Sequence, residues 1–182
     1  MKRTGLLLLI LIILLTGCGG KENTSKGLDT NKDNGVQADL PKKPDNDKEF
    51  KGYVFEHNGI IIAMNEKAAP IVERLGEPTE YFEAESCAFE GLDKIYTYGG
   101  FELHTYEMNG IDYVASVMFL DDSVATRKGV YLYCDLDDVL SMYGSDYTKN
   151  LGLYTYKLDK SKISFLIEND KVVSIEYIAV TE

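Results

Sequence analysis

The sequence FELHTYEMNGIDYVASVMF, residues 101–119, decides the fold. Apolar or aromatic residues alternate with polar ones through residues 101–106 and again through residues 113–119, which is the pattern of half-buried β-strands. Asn109-Gly110 lies between the two runs, and Asn-Gly is the strongest short signal for a tight hairpin turn. The stretch therefore predicts two antiparallel strands joined by a hairpin.

The order of elements around this hairpin recurs later in the chain. The recurring elements are a short helix that ends in glycine, a Tyr-Thr-Tyr strand and a hairpin. They lie at 71–76, 96–98 and 101–119 in the first copy, and at 137–144, 154–156 and 163–177 in the second. A further hairpin around Asn58-Gly59 precedes the first copy.

We therefore predict an α+β fold of two tandem repeats, residues 52–123 and residues 124–182. Each repeat is a short helix followed by an antiparallel β-meander. The repeats together form a sheet that carries helices on one face and leaves the other face open. The tyrosines of each Tyr-Thr-Tyr strand share one face of their strand, and we expect them in the core.

The first 17 residues have the features of a secretory signal peptide. Lys2 and Arg3 precede an aliphatic run that is too short to cross a hydrocarbon layer of about 30 Å. The run ends in Leu15-Thr16-Gly17-Cys18, which resembles a bacterial lipoprotein lipobox. This resemblance implies cleavage before Cys18, a lipid on the Cys18 sulfur, and an extracytoplasmic protein anchored to the cell membrane.

Residues 18–51 connect the predicted lipid anchor to the domain. They are rich in Lys, Asp, Asn and Gly and have almost no apolar side chains, so they cannot bury enough surface to fold. We predict a disordered tether with an end-to-end distance of about 30 Å.

The domain is strongly acidic. The chain has 19 basic and 30 acidic residues. Removing Lys2 and Arg3, and the seven basic and seven acidic residues between 21 and 51, leaves 10 basic and 23 acidic residues, a net charge of −13. Such a surface repels phosphates and anionic headgroups, so we expect no nucleic acid partner and a membrane contact only through the lipid on Cys18.

Two cysteines remain in the domain, Cys87 and Cys134. An oxidising exterior permits a disulfide between them. Two separate small core residues are the simpler interpretation, because free cysteine is among the most buried residue types. The sequence leaves both alternatives open.

The combination of a short helix, a glycine and a meander ending in NDKVVSI, residues 169–175, resembles two families. One is the small outer-membrane-assembly lipoproteins of the SmpA/OmlA type, and the other is the secreted β-lactamase inhibitor protein, which has two tandem copies. Both resemblances imply protein binding without catalysis. Residues 59–180 also resemble uncharacterised clostridial-type lipoproteins, chiefly through AESCAFEGLDKIYTY at 84–98, and this likeness implies no activity.

Catalytic and metal-binding motifs are absent from the sequence. His57 lies beside a turn and His104 on the polar side of a strand, and neither belongs to a known catalytic motif. The run 135–138 lacks the later glycine and glutamate of an EF-hand loop, and a helix N-cap at Asp135 explains it. The carboxylates of 121–122 and 83–85 fall in predicted loops. We therefore expect no enzyme, no cofactor and no metal site.

The open sheet face is the predicted partner surface. Its residues are Glu102, His104 and Tyr106 on one strand and Ser116 and Met118 on the next. We predict a non-catalytic protein-binding module at the cell envelope, whose partner is another envelope or extracellular protein. The alternative is a binder of a small molecule or a cell-wall polymer in a cleft between the repeats. The sequence does not specify the partner, the oligomeric state or whether the cell has an outer membrane.

Overall fold

An eight-stranded antiparallel sheet makes up most of the protein, together with a separate two-stranded sheet and two short helices. The computed structural model describes residues 50–87 and 91–181, of which 51% lie in strands and 12% in helices. The predicted signal peptide (1–17), Cys18 and the predicted tether up to residue 49 lie outside the described residues.

The elements follow one another as two strands, a helix, four strands, a second helix and four strands. Their bounds are β1 (Val54–His57), β2 (Ile60–Ala63), α1 (Ala68–Leu75), β3 (Glu80–Glu85), β4 (Leu92–Tyr98), β5 (Phe101–Met108), β6 (Ile111–Phe119), α2 (Leu136–Tyr143), β7 (Thr148–Asn150), β8 (Leu153–Leu158), β9 (Ser161–Glu168) and β10 (Lys171–Ala179). Strands β1 and β2 form the small sheet, and the large sheet has the order β3-β4-β5-β6-β10-β9-β8-β7.

The predicted α+β fold of two tandem helix-and-meander repeats is wrong. The protein is mostly β, and one continuous large sheet replaces the predicted repeat layout. Pairing of β6 with β10, through Tyr177 opposite Val117, joins all eight strands into that sheet. Each helix has only eight residues, too few to form a layer of its own.

The core lies on one face of the large sheet, beneath the β1–β2 hairpin and the helices. Phe55 of β1 is fully buried, and its ring centroid lies 5.0 Å from that of Phe101 and 5.1 Å from that of Phe119. Of the Tyr-Thr-Tyr strands, the buried tyrosines are Tyr98, Tyr154 and Tyr156, and Tyr96 packs against the core. The prediction that these tyrosines lie in the core is confirmed.

Two β-bulges keep apolar residues on the core face. In β6 the register shifts at Ala115, so that Val114 and Val117, three residues apart, are both buried. In β10 it shifts at Val173, and Val172 and Ile175 are both buried. A bulge places two residues opposite one on the neighbouring strand, which explains this spacing of three instead of the usual two.

Both helices end at glycines with φ of +82°, where their amides donate to carbonyl oxygens four residues back. Gly76 donates to Val72 at 3.0 Å and Gly144 donates to Leu140 at 2.9 Å. The predicted helix ends at these glycines are confirmed, and so is the predicted N-cap of α2 at Asp135. Glycine adopts this left-handed conformation at little cost.

Candidate functional site

The predicted partner residues lie on the face of the sheet opposite the core. Glu102 pairs with Met118 across β5 and β6, and His104 pairs with Ser116. Side chains alternate between the two faces along a strand, and the intervening Leu103 and Val117 are fully buried in the core. The structure therefore brings these four predicted residues together on one surface.

Tyr106 does not contribute to an exposed surface. Its side chain is buried, its ring stacks on Tyr113 with centroids 5.7 Å apart, and its hydroxyl donates to Asn65 Oδ1 at 3.0 Å. Burial also raises the pKa of Tyr106. The segment after β2 covers this end of β6, since Val114 donates to Glu66 and accepts from Asn65.

We call the surface around Glu102 and Met118 the open face and define it by two rows that cross β4, β5, β6, β10, β9 and β8. The first row is Thr97, Glu102, Met118, Glu176, Ser164 and Thr155, and the second is Ile95, His104, Ser116, Ile178, Lys162 and Lys157. Each residue lies directly opposite the next in its row. Most of these side chains are partly exposed, although Ser116 and Ser164 are buried between larger neighbours.

Negative and positive charges lie on different strands of the open face. In the first row Glu102 and Glu176 lie on either side of Met118, with Cα atoms about 10 Å apart at two strand spacings. In the second row Lys157 and Lys162 lie directly opposite each other, an arrangement of like charges that destabilises a strand pair. The face therefore presents carboxylates on β5 and β10 and ammonium groups on β8 and β9.

The two histidines have local partners. His104 Nε2 lies 3.0 Å from Glu102 Oε2, and the two side chains are 30% and 22% exposed. The His57 ring lies 5.0 Å from the Phe101 ring, and its Nε2 is 3.0 Å from Asn58 Nδ2. His104 thus lies beside the Glu102 carboxylate on the open face, while His57 covers an aromatic core residue.

The two domain cysteines are free thiols at opposite ends of the sheet. Cys87 is exposed and follows β3 at the end where Glu85 pairs with Leu92. Cys134 is buried, accepts the amide of Val172 at the far end of β10, and has its pKa raised by burial. Four strand spacings of about 4.8 Å separate β3 from β10, whereas a disulfide needs Cα atoms within about 7 Å. The fold therefore does not permit this disulfide within one chain.

A cleft of about 430 Å³ lies on the core side of the molecule, between the start of β1 and the end of α2. Its lining includes Tyr53, Tyr143, Tyr177, Arg127 and Lys128. Lys128 Nζ lies 4.6 Å above the Tyr143 ring and donates to the Met142 carbonyl at 2.8 Å. Burial raises the pKa of Tyr143 to about 12 and that of Tyr177 further.

No pattern in the sequence predicted this cleft. Arg127-Lys128 was the available signal, because it is the only adjacent pair of basic residues after residue 51. The two cations come close to the tyrosines only through contacts between residues distant in the sequence. Arg127 Nε lies 3.2 Å from Glu56 Oε2 on β1, which ties the loop before α2 to the small sheet.

The carboxylate runs in the sequence do not converge. Glu83 and Glu85 belong to β3, so the prediction that they lie in a loop is wrong. Asp121 Oδ1 accepts the amide of Ser123 at 2.8 Å, and hydrogen bonds from Ser123 lower its pKa. Within residues 50–87 and 91–181, no group of three or more His, Cys, Asp or Glu side chains is arranged to hold a metal ion.

Searches for similar proteins return no relative. No protein-family model matches the chain, and comparison with curated proteins and with solved structures finds no significant match. The resemblance to small envelope lipoproteins therefore stays a prediction. In the described part of the chain, neither helix has the length and apolar character that a membrane span requires.

Proposed function

We propose that the protein is a lipid-anchored extracytoplasmic lipoprotein whose domain binds another protein without catalysing a reaction. The observation that carries this proposal is the open face, on which Glu102 and Glu176 flank Met118 across three paired strands. An apolar centre with charged neighbours is the usual composition of a protein interface.

The dimensions of the sheet suit a protein partner. The open face crosses six strands, which at a spacing of about 4.8 Å gives a width of about 24 Å, and six residues along a strand give a length of about 20 Å. The resulting area of about 480 Å² is more than half of the roughly 800 Å² that each partner contributes to a typical specific interface. A rigid hydrogen-bonded sheet also loses little conformational entropy when it binds.

The proposed anchor explains how the domain meets its partner. The lipobox at Leu15-Thr16-Gly17-Cys18 supports a lipid on Cys18, and residues 18–51 have the composition of a flexible tether. Such a tether allows the domain to search a zone of about 30 Å above the membrane. We therefore expect the partner to be an envelope or extracellular protein.

Chemical cross-linking in native membranes tests the proposal. The tagged full-length chain is cross-linked and purified, and the enriched proteins are identified by mass spectrometry. The test variant carries Glu102→Lys and Glu176→Lys on the open face. The matched control carries Glu73→Lys and Asp137→Lys, which reverse two exposed carboxylates on the helices.

We expect one protein to be enriched with the original chain and the control variant and to be lost with the open-face variant. Circular dichroism establishes that both variants keep their strand content. Enrichment of nothing at any cross-linker length, or equal enrichment by the open-face variant, contradicts the proposal.

The second candidate function is binding of a small molecule or a cell-wall polymer. The cleft beside Tyr143 favours it, because aromatic rings and two cations lie together in an otherwise acidic domain. These groups suit a ligand that combines a flat or ring-shaped body with negative charge. Soluble peptidoglycan fragments added to the full-length chain should raise its melting temperature, and Arg127→Ala should reduce that increase, if this function is the correct one.

A further inference from the structure

Strand β3 forms one edge of the large sheet, and all six of its residues are exposed. It pairs with β4 over its whole length, from Glu80 opposite Thr97 to Glu85 opposite Leu92. Within the described residues no strand pairs with its outer side. The outward amide and carbonyl groups of β3 therefore present a template for one more strand.

Two large side chains at the centre of β3 remain exposed. Phe82 is 60% exposed and lies on the same side of the sheet as the open face, since it pairs with Ile95. Tyr81 is 50% exposed and lies on the opposite side, with its ring centroid 5.1 Å from that of Tyr96. A strand added beside β3 would cover apolar surface on both sides of the sheet.

The charges along this edge determine what kind of strand it can accept. Strand β3 contains Glu80, Glu83 and Glu85 and no basic residue. Lys94 lies opposite Glu83 on β4, but its ammonium group is paired with Asp112 at 2.7 Å. Glu83 and Glu85 lie two residues apart and share a face of β3, whereas Phe82 faces the other way. Directly opposite charges stabilise a strand pair and like charges destabilise it. The matching strand therefore alternates basic residues on one face with apolar residues on the other.

A second copy of the chain is a poor occupant of this edge. Two β3 strands side by side would bring their glutamates together, which charge repulsion opposes. The other edge of the sheet, β7, has only three residues and offers a much shorter template. An extended basic peptide satisfies both the backbone groups and the charges of β3.

We propose that β3 binds an extended segment of a partner protein rich in lysine or arginine by adding it as a ninth strand of the sheet. Backbone hydrogen bonds supply the affinity, and the alternation of basic and apolar side chains supplies the selectivity. This site lies at the edge of the sheet and does not depend on the function proposed for the open face.

An acetylated and amidated hexapeptide of alternating lysine and valine is the probe, labelled for fluorescence anisotropy with the full-length chain. One control peptide is N-methylated at every residue, which removes its backbone donors and keeps its charges. A second control peptide replaces every lysine with glutamate. The protein variant carries Glu83→Lys and Glu85→Lys, and its matched control carries Glu73→Lys and Asp137→Lys.

We expect the lysine peptide to bind the original chain and the matched control and to protect β3 amides from hydrogen exchange. The N-methylated peptide should not bind. Reversal of Glu83 and Glu85 should weaken the lysine peptide about tenfold and improve binding of the glutamate peptide. Equal binding of the N-methylated peptide, protection confined to other strands, or no binding at millimolar lysine peptide would each overturn the proposal.

Discussion

Replacement of Phe55 by alanine tests how the small sheet stabilises the large one. Phe55 is fully buried, and its ring contacts the rings of Phe101, Phe119 and Tyr177 at centroid distances of 5.0, 5.1 and 6.0 Å. Truncation of a buried phenylalanine costs about 3–5 kcal/mol. Since three aromatic partners lose their contact together, we expect a loss of about 4 kcal/mol in the free energy of unfolding.

Urea denaturation of the full-length chain, followed by far-ultraviolet circular dichroism and tyrosine fluorescence, measures this loss. With a urea dependence of about 2 kcal/mol per molar, the midpoint should fall by about 2 M. Phe82→Ala is the matched control, because Phe82 is 60% exposed and its truncation should cost less than about 1 kcal/mol. If Phe55→Ala costs no more than Phe82→Ala, the β1–β2 hairpin does not close the core.

The remaining predictions concern pH and the start of α2. Burial raises the pKa of Tyr143 from 10.0 to about 12, so the unfolded chain loses this proton first as the pH rises. The stability that this proton contributes to the folded state is constant below pH 10 and falls by roughly 2–3 kcal/mol between pH 10 and 12. Urea denaturation at a series of pH values across this range should show a smaller loss of stability in Tyr143→Phe. Asp135→Ala should cost about 1 kcal/mol through the lost N-cap, whereas Lys171→Ala should cost clearly less because its ion pair with Asp135 is exposed. Equal losses in both variants, measured by urea denaturation, would assign the effect to the ion pair.

Local chemistry was sufficient to predict the turns and the helix ends. Asn58-Gly59 and Asn109-Gly110 have positive φ at both residues, as their hairpins require, and Asn169-Asp170 adopts the same conformation. Gly76 and Gly144 end the helices for the same conformational reason. These features depend on a few adjacent residues, so one sequence contains the information needed.

The edge strands and the long-range pairing that joins the eight strands could not be predicted in this way. Strand β3 reads EYFEAE and has no β-branched residue, and β7 has only three residues. The pairing of β6 with β10 joins residues about 60 positions apart, through Tyr177 opposite Val117, and no local pattern specifies it. The fold class was wrong because it depends on these distant contacts.

Part of the candidate site could be predicted, because the alternation of side chains along a strand is a local pattern. Alternation along β5 and β6 correctly assigned Glu102, His104, Ser116 and Met118 to one face. Alternation does not report burial, and Tyr106 is covered because the segment after β2 reaches across to it. The lysines of β8 and β9 joined the open face only when the long-range pairing of β10 was known.

Site-specific photo-cross-linking tests the binding role of the open face most directly. A photoreactive amino acid carrying a diazirine group replaces Met118, at the centre of the open face, in the full-length chain, and separately replaces Asp137 on α2. The cells are irradiated and the adducts are identified by mass spectrometry. If the open face is the binding surface, position 118 forms an adduct with a single envelope or extracellular protein and position 137 does not. An adduct formed only from position 137, or none from position 118, would contradict the account.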